Sequence, residues 1–153
     1  MDRNIAVTGS TDADSSTTDQ KEHIYRLLRQ TSRTFALSIE GLPGVLRDEI
    51  ATSYLLLRVS DYFEDHESLP TDQKIRLLEQ WHAVLSAEAA DDSGLDRTAG
   101  RESDGCVARH AFAAALATVP VDPADPEEAV AREWPVLLAV LSGFGRKAIR
   151  VIV

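Results

Sequence analysis

The chain has 153 residues, 44% of them hydrophobic, and a formal net charge of −9 at pH 7. That length supports one domain with a real core and is too short for two. The acidic balance argues against nucleic acid or an anionic membrane surface as partner, since both require a basic face, and it demands that cations mediate any binding of a phosphorylated substrate. A single cysteine, Cys106, excludes an internal disulfide framework and reads as a small buried hydrophobe in a reducing compartment. No apolar signal region follows Met1-Asp2-Arg3-Asn4, and apolar runs such as residues 136–140 are far short of the roughly 20 needed to span a bilayer. A cytoplasmic protein is expected, at most peripheral to a membrane.

Residues 1–19 are rich in Thr, Ser, Asp and Gly and read as a flexible tail, with the domain occupying 20–153. A short helix is predicted over 23–31, followed by Ser32-Arg33-Thr34-Phe35 and an apolar stretch to Ile39. Leu42-Pro43-Gly44 then breaks the chain, and Pro43 is placed to open a helix over about 44–66. That helix carries Leu46, Ile50, Leu55, Leu56, Val59 and Phe63, too many apolar groups for a surface helix. After Pro70, with Thr71 as cap, Ile75, Leu78, Trp81 and Leu85 keep helical spacing to about residue 87. Residues 88–104 lack periodicity and read as a loop. Helices are predicted over 105–118 and 127–142, separated by a proline-rich turn, and the chain closes on an apolar helical face at 151–153. No strand pattern recurs, so the fold class is all-α.

Chemistry concentrates in the 44–66 helix. Tyr54, Arg58, Asp61 and Asp65 stand at i, i+4, i+7 and i+11, which lays them in one stripe. Asp61 and Asp65 are one turn apart and able to share a hard cation, while Arg58 adds a fixed positive charge. The competing reading is a solvated helix end. The helix dipole disfavours acids there by roughly 0.3–1 kcal/mol per group, so Asp61, Glu64, Asp65 and Glu67 call for compensation, which a divalent cation would supply. His82 and His110 lack partners at metal-site spacing and read as ordinary helix residues, and Gly143-Phe144-Gly145 is too little for a dinucleotide fingerprint.

Ser32-Arg33-Thr34-Phe35, Leu42-Pro43, Leu46-Arg47 and the run Tyr54-Leu55-Leu56-Leu57-Arg58-Val59-Ser60-Asp61-Tyr62-Phe63-Glu64-Asp65 together resemble the amino-terminal half of the squalene and phytoene synthase family. The similarity runs from about His23 to Trp81 and is fainter beyond. It implies an isoprenoid-synthase-type helical bundle that joins two prenyl diphosphates, farnesyl or geranylgeranyl, head to head. By the same resemblance Asp61 and Asp65, with Glu64 as helper, would hold Mg²⁺. Arg33 and Arg58 would clamp phosphate, Ser32 or Thr34 would donate hydrogen bonds, Phe35 would line the prenyl channel, and Tyr54 would face the departing diphosphate or the carbocation.

Family members carry a second aspartate-rich box that nothing after Asp65 supplies, so the chain is expected to be the N-terminal half of the bundle and inactive alone, with a partner subunit or a second copy completing it. NADPH would enter only for a squalene-type product and with the missing half. An interaction module without catalysis and a cyclase-like activity on one prenyl diphosphate use the same residues. Without an opposite wall, Leu56, Val59, Phe63 and residues 151–153 are expected to form an exposed apolar patch.

Overall fold

The computed structural model describes residues 11–91, 100–122 and 124–152, all in helices and their connections, with no strand among them. The helices are α1 (Thr11–Thr31), α2 (Arg33–Glu40), α3 (Gly44–Asp65), α4 (Thr71–Asp91), α5 (Gly100–Leu116), α6 (Pro126–Arg132), α7 (Trp134–Leu141) and α8 (Arg146–Ile152). None is long and apolar enough to cross a membrane.

Central to the bundle is α3, which packs against α1, α2, α4, α6 and α7. Its Ala51, Leu55, Leu56, Val59, Tyr62 and Phe63 are buried, and α1 contributes Ile24, Leu27 and Leu28 to the same core. An aromatic cluster joins four helices: the Phe112 ring of α5 lies 5.8 Å from Phe63, 5.1 Å from Trp81 of α4 and 5.4 Å from Trp134 of α7. Offset and edge-on arrangements of this kind add to the area that the rings bury.

Polar ties fix the helix ends. Arg132 of α6 donates from Nη1 to the Leu116 carbonyl at 2.9 Å and from Nη2 to the Val119 carbonyl at 3.1 Å, closing the end of α5. Its Nε reaches the buried Glu128 carboxylate at 3.1 Å, which also accepts from the Asp122 backbone N–H. Arg132 thus serves as a side-chain cap for a neighbouring helix. Between α1 and α3, Asp48 accepts from Tyr25 and pairs with Lys21 at 2.9 Å. Burial alone would raise its pKa, but the hydrogen bonds from Tyr25 and Lys21 hold it below the ordinary 3.8.

Several sequence expectations change at this level. The first helix starts at Thr11, within the stretch expected to be a tail, whose first ten residues lie outside the described residues. Residues 88–91 and 100–104, expected in a loop, continue α4 and open α5. Thr71 is the first residue of α4 and not its cap, for Gln73 and Lys74 donate to the Pro70 carbonyl. The predicted 127–142 helix is broken at Glu133 into α6 and α7 because Pro135, in the first turn of α7, has no N–H to donate back. Cys106 is exposed, with its Sγ 3.9 Å from His110 Nδ1, because it lies on the outer side of α5.

The expected apolar patch also differs. Leu56, Val59 and Phe63 are buried, since the helices packed around α3 cover that face. The exposed apolar side chains of α2 and α3 are instead Phe35, Leu37, Val45, Leu46, Ile50 and Leu57, and at the far end Val151 is exposed while Val153 lies outside the described residues.

Candidate functional site

The turns of α3 bring the predicted stripe together as its spacing requires. Arg58 Nη1 donates to Asp61 Oδ2 at 2.9 Å, and both side chains are half-buried, at 24% and 28% exposure. One turn earlier Tyr54 meets Phe35 of α2, with ring centroids 5.2 Å apart. Aromatic, guanidinium and carboxylate therefore follow one another along one side of α3, ending at the exposed Asp65 on its last turn.

The Ser32-Arg33-Thr34-Phe35 element is built by a helix start. Ser32 has extended backbone and its Oγ accepts from the Phe35 N–H at 3.4 Å, so its hydroxyl caps α2. Arg33 and Thr34 occupy the first turn of α2 and are exposed, as is Phe35. Arg33 is thus free of the packing that fixes Arg58.

The acidic end of α3 finds part of its compensation within the protein. Lys74 of α4 donates from Nζ to the Glu64 carbonyl at 2.7 Å, placing a cation where the dipole wants one, and Arg58 neutralises Asp61. Glu64 and Asp65 point to solvent. Among the described residues no group of three or more His, Cys, Asp or Glu side chains is arranged to hold a metal ion. Asp61 and Asp65 offer a hard-oxygen pair one turn apart, which matches the one or two carboxylates that Mg²⁺ takes from a protein when substrate phosphates and water fill the remaining shell.

One residue of the site has no signal in the sequence. Glu127, near the start of α6, forms an ion pair with Arg58 Nη2, so the guanidinium stands between two carboxylates from different helices. Arg58 Nε is buried and has no hydrogen-bond partner. An acid in the first turn of a helix reads as a dipole complement, and only the packing of α6 on α3 turns Glu127 into a partner for residue 58. Nearby, the buried Tyr62 hydroxyl also lacks a partner, and its pKa is pushed from 10.0 to about 12 by burial and then by the Glu128 carboxylate.

Comparison with known proteins sets this geometry in context. The family model for squalene/phytoene synthase matches residues 28–132. A squalene synthase of Botryococcus braunii is 48% identical over 61 residues, covering 40% of this chain and 13% of that protein. The squalene synthase of Solanum lycopersicum is 47% identical over 58 residues, 38% of this chain and 14% of that protein. The human squalene synthase is 39% identical over 61 residues, 40% of this chain and 15% of that protein. The matched stretch is thus a small part of each relative's length. No solved structure matches the chain.

Proposed function

Because the chain belongs to the squalene/phytoene synthase family, we propose that it contributes the diphosphate-binding wall of a prenyltransferase that joins two prenyl diphosphates head to head. The observation that carries this reading is the row Phe35, Tyr54, Arg58, Asp61 and Asp65, an apolar aromatic end passing into a cationic and then an anionic one. A prenyl diphosphate matches this order, its hydrocarbon tail along the aromatic end and its diphosphate beside Arg58, provided a cation bridges it to the carboxylates.

In this proposal Asp61 and Asp65, with Glu64 beside them, hold Mg²⁺, which when bound neutralises the diphosphate as leaving group. Arg58 and Arg33 donate to phosphate oxygens, where charge-assisted hydrogen bonds are strongest. The Phe35 and Tyr54 rings line the path of the prenyl chain, exclude water and offer their faces to positive charge. The half-buried setting of Arg58 strengthens its interaction with a developing negative charge relative to a fully solvated guanidinium.

Calorimetric titration of the full chain with a non-ionising prenyl diphosphate analogue and Mg²⁺ tests the assignment. Asp61→Asn is expected to lose most of the metal-dependent heat. Equal heats for the variant and the original chain would remove Asp61 from the site and the metal role with it.

A further inference from the structure

The ion pair between Arg58 and Glu127 has a consequence for how the diphosphate site is assembled, and it rests on the diphosphate reading above. Arg58 Nη1 is committed to Asp61 and Nη2 to Glu127, while Nε is buried without an acceptor. The two carboxylates are not equivalent. Asp61 belongs to the same helix as Arg58, three residues on, and is the residue that a cation would recruit. Glu127 comes from α6, lies against the guanidinium from the other side, and is 20% exposed.

We propose that Glu127 is a positioning residue for the diphosphate site: it anchors the Arg58 guanidinium through Nη2, so that Nη1 passes from Asp61 to a phosphate oxygen when Asp61 turns to a cation. Without that anchor, drawing Asp61 away would leave a half-buried guanidinium whose Nε already lacks a partner. Such a group gains by swinging toward water, because an unsatisfied buried donor is costly. The guanidinium fork suits the arrangement, since it presents separate donors in one rigid plane and can keep one partner while exchanging another. The order of events follows from the same contacts. With a cation held by Asp61, Nη1 would be free for a phosphate oxygen, and anion binding at Arg58 would then depend on that cation.

The opposite role for Glu127 is a blocking one, in which the carboxylate occupies the edge of Arg58 that phosphate needs. The two roles give opposite results when the side chain is removed. The full chain should be titrated calorimetrically with inorganic pyrophosphate, with and without Mg²⁺, as the original protein and as Glu127→Ala and Glu127→Gln, and the urea midpoint of each should be recorded. Glu127→Ala is expected to weaken Mg²⁺-dependent pyrophosphate binding by about fivefold to tenfold, and Glu127→Gln, whose amide oxygen still accepts from Nη2, to stay within about twofold. Should Glu127→Ala not fold, Glu127→Asp, which withdraws the carboxylate by one methylene, is expected to show the same weakening. Unchanged affinity with a lowered urea midpoint would make Glu127 a clasp between α3 and α6 and overturn the inference, and tighter binding would do so in favour of the blocking role. Absence of pyrophosphate binding by the original chain with Mg²⁺ would remove the diphosphate reading and this inference together, whereas binding that ignores Glu127 removes this inference alone.

Discussion

Ser32 shows how one side chain satisfies two readings that a single substitution does not separate. Its hydroxyl accepts from the Phe35 N–H and caps α2, a helix of eight residues with no acid in its first turn to share the task. Ser32→Ala should therefore lower stability by about 1 kcal/mol, the usual cost of a lost cap, read as a lower urea midpoint. Ser32→Asp keeps a capping oxygen and should restore the midpoint while placing negative charge beside Arg33. If Ser32 also faces a diphosphate, the Asp variant should bind it more weakly than the Ala variant. An Ala variant as stable as the original chain would show that the cap contributes nothing.

At the scale of elements, the short helix α6 organises its neighbours through charge. Arg132 closes the end of α5 on two carbonyls and holds the buried Glu128, while Glu127 reaches across to α3. Arg132→Met would leave a buried carboxylate and two carbonyls without their cation. Because the Arg132 side chain is itself 30% exposed, leaving the buried Glu128 carboxylate short of a donor costs roughly 1–3 kcal/mol, and replacing both partners by apolar groups recovers much of that loss. Denaturant unfolding of Arg132→Met should show a drop of that order, and Arg132→Met with Glu128→Leu a smaller one. A loss below about 1 kcal/mol for the single variant would place the pair with ordinary surface ion pairs.

Across the whole molecule, two phenols couple stability to alkaline pH. Burial, followed by the Asp48 hydrogen bond at Tyr25 and the Glu128 charge at Tyr62, pushes each from 10.0 to about 12. Between those values the folded chain keeps protons that the unfolded chain releases, so this contribution is complete below pH 10 and is lost as pH rises toward 12. Urea midpoints measured across that window should fall, in step with tyrosinate absorbance. Tyr62→Phe should flatten part of the fall without lowering stability at neutral pH, because the hydroxyl it removes is buried without a partner. Tyr25→Phe should instead cost stability at neutral pH, through the lost bonds to Asp48 and Arg47. A midpoint that does not change across the window would refute the coupling.

Sequence alone carried the all-α class, most helix positions and the stripe from Tyr54 to Asp65, because apolar periodicity and i, i+3 or i, i+4 spacing are local properties that a helix converts directly into shared faces. It also carried the family resemblance that residues 28–132 bear out. It misplaced what depends on neighbours. Leu56, Val59 and Phe63 lie under helices that pack on α3, Leu46 and Ile50 are left outside them, and Cys106 falls on the outer side of α5. Only the tertiary structure brought Glu127 to Arg58 and Arg132 to the end of α5. Those contacts join residues far apart in the chain, where no spacing rule operates and the meeting of two helix faces alone decides which charges become partners.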